Sequence, residues 1–220
     1  MIWAFGHNLQ AEDARSPIQY RHVGLTRQTP GGAACPIDQS VRYCTVCRRL
    51  GVMEPTGVKL LILDVDGVLT DGRLSPSEED ESARRFHVHD GCAIKLWKCS
   101  GGKVAILSGR EGRDVARRAA ELGIEWVKLG VADKLAGYEA ILASADCVNE
   151  AVAYVGDDLP DLGPMSRCAW PVAVADAVPA VKRAAQYVTR RAGGCGAVAE
   201  VIELILRKQK RWSPTLLREM

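Results

Sequence analysis

The chain has 220 residues, of which 47% are hydrophobic and 25% are charged, and its formal net charge is +2. This composition is typical of one globular domain with room for a short appendage. The near balance of charge argues against nucleic-acid or membrane-surface partners, because both need a concentrated basic face. No apolar run approaches the roughly 20 residues of a membrane span.

The first 57 residues differ in composition from the remainder. They carry six arginines, no lysine and four of the ten prolines, without a sustained strand or helix period. We therefore expect a poorly ordered N-terminal extension over residues 1–57. Met53 comes shortly before the first strong strand pattern, which leads to the hypothesis that Met1 is an upstream start site.

The eight cysteines are expected to be reduced thiols of a cytoplasmic protein, since the N-terminal residues lack a secretory signal pattern. Cys35, Cys44 and Cys47 form a candidate zinc site, with His22 as a fourth ligand. A single Cys-x-x-Cys pair is a weak signal, and incidental thiols are the simpler interpretation.

From Val58 onward, strand and helix patterns alternate. Apolar runs predict buried strands at residues 59–64, 104–107, 126–127, 151–155, 172–174 and 187–189. Helix patterns cover residues 90–99, 111–122, 134–143, 178–185 and 197–206, and residues 73–88 predict a small polar β-hairpin flap. Strands separated by helices imply βαβ units. We predict a single Rossmann-like, three-layer α/β domain over residues 58–206 with a mainly parallel sheet, followed by a basic tail at residues 207–220.

Polar side chains gather where the predicted strands end, which is where open α/β sheets bind ligands. Such carboxylates repel each other by about 4 kcal/mol per pair at about 4 Å and an effective dielectric near 20, so a cation must lie among them or some must protonate. Mg²⁺ with oxygen ligands fits, and a metal, an ammonium and a hydroxyl together suit a phosphoryl group. The residues concerned are Asp64, Asp66, Ser108, Lys134, Asp157 and Asp158.

Each of these residues alone is more simply a cap, a turn or a solvated side chain, and it is their order that points to a function. In that order they resemble the four motifs of the haloacid dehalogenase superfamily of phosphohydrolases, at residues 64–70, 108, 134 and 156–161. Within it, residues 70–72, 86–91, 106–110, 153–158, 172–177 and 192–194 are similar to the 3-deoxy-D-manno-octulosonate 8-phosphate phosphatases. The similarity covers about residues 58–206.

The resemblance implies an aspartyl-phosphate mechanism. Asp64 would attack phosphorus as a carboxylate nucleophile. Asp66 would protonate the departing sugar oxygen and then deprotonate the hydrolytic water. Mg²⁺ would be held by the Asp64 carboxylate, the Asp66 carbonyl oxygen and Asp157. The implied pathway is the synthesis of lipopolysaccharide precursors.

The remaining motif residues have supporting roles by the same resemblance. Ser108 would donate a hydrogen bond to a phosphoryl oxygen. Lys134 would neutralise charge on Asp64 and on the phosphate. Asp158 and Asp161 would orient the cluster without touching the metal.

The resemblance also implies a set of substrate-binding residues, in which His87 to Gly91 contact the sugar and basic side chains bind the phosphate and the sugar-acid carboxylate. This set is Asp66, His87, Val88, His89, Asp90, Gly91, Lys95, Arg110, Arg118 and Lys134. The family pattern often has arginine where this chain has His89, Lys95, Cys195 and Ala199. Histidine and lysine cannot reproduce the two-pronged guanidinium fork, so an eight-carbon and a nine-carbon sugar acid both stay open as substrates.

The spacing of the motifs bears on the surroundings of the site. About 40 residues separate Asp66 from Ser108, which leaves no room for a cap domain. Capless members of the family are commonly homotetramers whose neighbouring subunits cover the site, and the resemblance implies the same here. Residues 193–196 either reach a neighbouring site or form a simple turn.

Two alternatives come from other classes of protein. A signalling receiver domain also clusters aspartates, a hydroxyl and a lysine on a parallel sheet. In that pattern the acidic pair comes first and a single aspartate follows at a middle strand, whereas here Asp157 and Asp158 come last. A non-catalytic scaffold of the same fold is the other alternative, although none of the motif residues is missing.

Overall fold

A computed structural model of the chain describes residues 54–74 and 84–212, and these residues contain one six-stranded sheet. Its strands are β1 (Leu60–Leu63), β2 (Lys103–Leu107), β3 (Trp126–Lys128), β4 (Val152–Gly156), β5 (Trp170–Ala173) and β6 (Tyr187–Val188). Their order is β3-β2-β1-β4-β5-β6, and every neighbouring pair is parallel. The predicted mainly parallel α/β sheet is confirmed.

The strand order reverses between β1 and β4. From β1 the chain builds outward through β2 and β3, and it then returns to the other side of β1 and builds outward through β4, β5 and β6. The carboxyl ends of β1 and β4 therefore border the crevice in which open parallel sheets bind their ligands. Asp64 follows β1 and Asp157 follows β4.

Helices cover the sheet. They are α1 (Val88–Cys99), α2 (Arg113–Glu121), α3 (Lys134–Ala145), α4 (Leu162–Met165), α5 (Pro179–Ala184) and α6 (Ala197–Lys208). Helix α1 packs against α6, and α3 packs against α4 and β3. All residues of β1, β4 and β5 are buried, as expected for parallel strands with both faces covered. Burial of each large aliphatic side chain contributes about 1.5–3 kcal/mol.

Several element boundaries differ from the predicted ones for local reasons. Helix α1 begins at Val88 rather than at Asp90, because the His87 side chain accepts a hydrogen bond from the His89 backbone N–H at 3.2 Å and caps the helix. Strand β5 begins two residues early, at Trp170. The short helix α4 was not predicted, since its four residues are too few to show a helical period.

The two ends of the described region lie together. Helix α6 runs two residues past the predicted boundary, and the Gln209 side chain donates hydrogen bonds to the carbonyls of Pro55 and Val58 at 3.2 and 2.7 Å. Lys208 and Glu54 form an ion pair at 2.7 Å. Residues 54–57 are therefore packed with the domain that was predicted to begin at residue 58.

Some predictions lie outside the described residues. These are the extension up to residue 53 with Cys35, Cys44 and Cys47, most of the flap, and the end of the basic tail. Within the described ranges no cap domain accompanies the sheet. None of the helices found there is long and apolar enough to cross a membrane.

Candidate active site

Three carboxylates meet at the crevice between β1 and β4. One oxygen from each of Asp64, Asp157 and Asp161 lies within 4.8 Å of the others. Asp64 is only 5% exposed and Asp161 is fully buried. The parallel strands bring the three together, because Asp157 and Asp161 follow β4 directly beside the end of β1.

The turn after β1, Val65–Leu69, requires a glycine at its centre. Gly67 has φ +91°, and a Cβ atom on it would lie 2.1 Å from Asp157 Oδ2. The Thr70 hydroxyl closes the turn by donating to the Val65 carbonyl at 3.2 Å and accepting from the Gly67 N–H at 3.4 Å. The turn thereby brings backbone against the Asp157 carboxylate, where a side chain would not fit.

Lys134 lies at the first position of α3, opposite the carboxylates. The Asp133 side chain caps this helix by accepting from the N–H groups of Leu135 and Ala136 at 2.9 and 3.2 Å. The Lys134 ammonium is 2.9 Å from Asp64 Oδ2 and 2.7 Å from Asp161 Oδ1. Burial lowers the pKa of Lys134, but the two carboxylates outweigh it and the net change is upward.

Asp161 has four hydrogen-bond donors around its carboxylate. Oδ1 accepts from Lys134 Nζ at 2.7 Å and from the Tyr154 hydroxyl at 2.8 Å. Oδ2 accepts from the backbone N–H groups of Asp157 and Asp158 at 2.9 and 3.2 Å. With both oxygens engaged in this way, Asp161 fixes Lys134 and the loop after β4 in place.

The cluster concentrates negative charge. Burial raises the pKa of Asp64 to about 6, with a further rise from Asp161 and an opposing effect of Lys134. Burial and the neighbouring Asp64 carboxylate raise the pKa of Asp157 to about 8. Three carboxylates thus face a single ammonium, and the folded cluster favours added positive charge.

The residues present fit a divalent cation. Asp157 Oδ1 is buried and has no hydrogen-bond partner among the described residues, which is costly for a carboxylate oxygen unless something binds it. The available donors are all oxygens, the ligands that hard cations such as Mg²⁺ prefer. Asp64 and Asp157 are the carboxylates with capacity for it, since Asp161 is already engaged.

Asp66 lies beside this cluster and contacts arginines instead. Arg84 Nε is 2.7 Å from Asp66 Oδ1, and Arg84 Nη2 is 3.4 Å from Oδ2. Arg110 Nε lies 3.9 Å from Oδ2. The Asp66 side chain is 18% exposed, whereas that of Arg84 is only 2% exposed. Asp66 therefore stands at the border between the buried cluster and solvent.

Ser108 ends β2 on the other side of β1. It is 1% exposed, and its hydroxyl oxygen accepts a hydrogen bond from the Arg110 N–H at 3.2 Å. The hydroxyl proton is thus available to a group in the crevice. Arg110 directs an exposed guanidinium toward the same space.

An open cleft of about 620 Å³ joins these groups. Its volume is of the size that holds a small metabolite. Its polar lining comes from Asp64, Asp66, Ser108, Arg110, Lys134, Asp157 and Asp158, and its apolar lining includes Leu74, Val131 and Pro160. The predicted catalytic and metal-binding residues therefore line one cleft, although their roles stay predictions.

The other predicted substrate-binding residues do not line this cleft. Val88 is 77% exposed, and His89 and Lys95 are exposed as well. Asp90 is buried and caps α6, accepting from the Ala199 N–H at 2.8 Å. Asp90 lines a small pocket at the start of α1 together with His87, Gly91 and Arg118.

Arg118 and Gly91 form one packed pair at that place. A Cβ atom on Gly91 would lie 2.2 Å from Arg118 Nη2, so the guanidinium lies directly over the glycine. Arg118 Nη1 also pairs with Glu121 at 3.1 Å. Within one chain, therefore, Arg118 has partners away from the cleft.

The glycine loop before α6 supports the turn after β1 in its own chain. Gly194 donates to the Val68 carbonyl at 3.0 Å, and Gly193 donates to Asp176 Oδ1 at 2.9 Å. A Cβ atom on Gly193 would lie 1.7 Å from the Gly67 carbonyl oxygen. The backbone of this loop thus packs closely against the turn that follows Asp64 and supports it.

Sequence reasoning missed Tyr154 and Arg84. Tyr154 interrupts the apolar run of β4, and a buried tyrosine hydroxyl usually needs a partner; that signal was present but did not identify Asp161. Arg84 gave no signal, because no sequence period links it to Asp66, which lies 18 residues earlier in the chain.

Comparisons with known proteins agree with this geometry. A model of the haloacid dehalogenase-like hydrolases matches residues 129–202. The chain is 42% identical over 160 residues to the 3-deoxy-D-manno-octulosonate 8-phosphate phosphatase of Yersinia pestis, covering 73% of this chain and 86% of that relative.

Solved structures give the same result. The cobalt-bound deoxy-D-mannose-octulosonate 8-phosphate phosphatase of Haemophilus influenzae has a TM-score of 0.70 and 39% identity, over 72% of this chain and 92% of that one. The Moraxella catarrhalis 3-deoxy-D-manno-octulosonate 8-phosphate phosphatase, in complex with magnesium ion, phosphate ion and KDO, has a TM-score of 0.72 and 34% identity, over 76% and 96%. The chain is therefore a phosphoric monoester hydrolase and belongs to the 3-deoxy-D-manno-octulosonate 8-phosphate phosphatase family of the haloacid dehalogenase superfamily.

Proposed function

We propose that this phosphatase hydrolyses 3-deoxy-D-manno-octulosonate 8-phosphate in a Mg²⁺-dependent reaction that passes through an aspartyl-phosphate on Asp64. The observation that carries the proposal is the cleft in which Asp64 and Lys134 lie 2.9 Å apart beside the unpartnered Asp157 oxygen. The names of the relatives supply the substrate. The reaction would take place in the cytoplasm, in the synthesis of lipopolysaccharide precursors.

The chemistry divides into two displacements at phosphorus. In the first, an Asp64 oxygen forms a bond to phosphorus while the bond to the sugar oxygen breaks, and Asp66 gives that oxygen a proton. In the second, water attacks the same phosphorus, Asp66 takes the proton of that water, and phosphate leaves Asp64. Asp66 thus ends in its starting protonation state.

The other residues hold and stabilise the phosphoryl group. Lys134 balances charge on Asp64 and on the equatorial oxygens, and Ser108 donates a hydrogen bond to one of them. Mg²⁺ would be held by the Asp64 and Asp157 carboxylates and the Asp66 carbonyl, where it would offset the negative charge that develops on the phosphoryl oxygens. Asp161 keeps Lys134 in place, and Asp158 caps the short turn after β4 by accepting from the Leu159 N–H at 2.8 Å.

We also propose a homotetramer in which the start of α1 contributes to a neighbouring cleft. His87 and His89 contact each other with ring centroids 4.8 Å apart, and the adjoining Val88 is 77% exposed. Because this surface does not line the cleft of its own chain, we propose that another copy brings it to the sugar. Lys95 and Arg118 would join the binding surface in the same way.

A nine-carbon sugar-acid phosphate is the second candidate substrate. It is favoured by the side chains at four positions where arginine is common in the family pattern, namely His89, Lys95, Cys195 and Ala199. The Ala199 backbone lies against Asp90 at the start of α6, and alanine there presents no cation. The groups that bind the sugar-acid carboxylate would therefore be arranged differently from those of the family pattern. Such an arrangement suits a different sugar acid.

The test is phosphate release from 3-deoxy-D-manno-octulosonate 8-phosphate beside a panel of sugar phosphates, with and without Mg²⁺. We expect strong preference for that compound, dependence on Mg²⁺, and loss of turnover in Asp64→Asn. Asp146→Asn is the matched control, since Asp146 is exposed with φ 47°, a conformation that asparagine also accepts. Preference for a nine-carbon sugar-acid phosphate would change the proposed substrate. Phosphate release that persists in the Asp64→Asn variant would refute Asp64 as the nucleophile.

A further inference from the structure

The guanidinium of Arg84 contacts Asp114 and the Glu111 carbonyl as well as Asp66. Its Nη1 is 3.0 Å from Asp114 Oδ1, and its Nη2 donates to the Glu111 carbonyl at 3.3 Å. The Arg84 backbone N–H donates to Asp114 Oδ2 at 3.0 Å. Both ends of the arginine are therefore fixed to the segment that begins α2.

The anchor of Arg84 is itself well ordered by the fold. Asp114 lies in the first turn of α2 and also accepts from the Val115 N–H at 2.9 Å. Gly112 provides the space for the guanidinium, since a Cβ atom there would lie 2.2 Å from Arg84 Nη1. Asp114 thus holds the Arg84 guanidinium against the Asp66 carboxylate, in the space that Gly112 leaves.

The contacts to Asp66 are unequal, and this difference has a chemical consequence. The 2.7 Å bond fixes Oδ1, whereas Oδ2 is 3.4 Å from Arg84 and faces the exposed Arg110 at 3.9 Å. A charge-assisted bond of the shorter length is strong and directional. Oδ2 is therefore the less tightly held oxygen of the two.

We propose that Arg84 is a positioning residue for proton transfer, which holds Asp66 by Oδ1 so that Oδ2 meets the leaving oxygen of the ester. The inference rests on the proposed function, in which Asp66 is the acid and base. An acid must lie within hydrogen-bond reach of the atom it protonates, and small misplacement is costly. Without Arg84, the Asp66 carboxylate would lose the bond that fixes Oδ1.

A positioning role predicts a loss that depends on the leaving group. A sugar alkoxide is a poor leaving group and needs the proton, whereas p-nitrophenolate departs without one. The ratio kcat/KM reports the steps up to release of the alcohol, so it isolates the first proton transfer. We expect Arg84→Met to lower kcat/KM for a sugar phosphate by about tenfold to a hundredfold, within the range of general acid catalysis, and to change kcat/KM for p-nitrophenyl phosphate by less than about threefold.

The variants separate positioning from folding. Arg84→Lys keeps a charge without the fork and should recover part of the loss. Gly112→Ala displaces the guanidinium without altering either member of the Arg84–Asp66 pair, and it should give the same selective loss. Arg85→Met, in the exposed neighbouring arginine, is the matched control and should be unchanged.

The experiment measures kcat/KM for the best-hydrolysed sugar phosphate of the panel and for p-nitrophenyl phosphate in all four variants. Equal losses on both esters, or a Gly112→Ala enzyme equal to the wild type, would overturn the positioning role while leaving the proposed function intact. A wild-type chain that hydrolyses neither ester would instead refute the proposed function, and the inference with it.

Discussion

The carboxylate cluster is largely buried and held by hydrogen bonds, whereas the first residue of α1 is exposed. In the cluster, Asp161 has four hydrogen-bond donors and Asp64 is 5% exposed. At the start of α1, Val88 is 77% exposed. The groups proposed for bond breaking are thus held together within one chain, whereas Val88, His89 and Lys95, proposed for recognition of the sugar, face outward. Chemistry and specificity can thus lie on different surfaces of one fold.

Removing Lys134 should have the largest effect, because it removes the ammonium that pairs with both Asp64 and Asp161. Lys134→Met leaves Asp64 and Asp161 buried beside each other without their cation. Turnover should fall by about a hundredfold to a thousandfold, the usual cost of losing a preorganised charge at the transition state. The free energy of unfolding should fall by about 3 kcal/mol, the lower end for breaking a buried pair, since Asp64 with its pKa near 6 can protonate.

Steady-state kinetics and urea unfolding check this prediction. The control is Lys59→Met, an exposed lysine just before β1, at the opposite end of that strand. It should leave both quantities near their wild-type values. A Lys134→Met enzyme with full turnover would show that the cluster does not hold the phosphoryl group.

The free energy of unfolding should depend on pH because the carboxylate cluster carries excess negative charge. The pKa values of Asp64 and Asp157 are raised to about 6 and about 8, against about 3.9 in the unfolded chain. Between about pH 4 and 8 the folded state therefore binds more protons than the unfolded one. The contribution of these groups to stability is fully present below pH 4 and is lost as the pH rises to about 8.

The Asp157→Asn variant and added Mg²⁺ test whether Asp157 causes the loss of stability with rising pH. In the variant, the part of the loss between about pH 6 and 8 should disappear, because the group with the larger shift is gone. In the wild type, stabilisation by Mg²⁺ should grow over the same interval, since deprotonated carboxylates bind the ion. Unfolding free energies measured across this range in chelator and in Mg²⁺ would show both effects. If the free energy of unfolding depends on pH in the same way in the variant, the assignment of this loss to Asp157 would be contradicted.

The same contrast explains what could be predicted from the sequence. Asp64, Ser108 and Asp157 could be grouped because each follows a strand, and the carboxyl ends of neighbouring parallel strands must meet. Arg84 could not, because its bonds to Asp66 and Asp114 join residues that lie 18 and 30 positions away in the sequence. Periodicity carries no information about such contacts.

The residues at the start of α1 show another limit of sequence reasoning. Family resemblance assigned Asp90 to the substrate, while the structure has it capping α6 through Ala199. A buried carboxylate at a helix start satisfies free backbone N–H groups. The sequence alone does not show that the two helices meet.

A charge at Val88 should have the smallest effect on the fold, and it tests whether sugar recognition lies on a different surface from the chemistry. Val88→Glu should change the free energy of unfolding by less than about 0.5 kcal/mol, as for most surface substitutions. If this surface covers a neighbouring cleft, the tetramer should dissociate in sedimentation experiments, and KM should rise more than kcat falls, because recognition is lost while the Asp64 cluster stays intact. Val148→Glu, at another exposed valine (62%), is the matched control and should alter neither. A Val88→Glu enzyme with unchanged assembly and KM would show that recognition, like the chemistry, is contained within one chain.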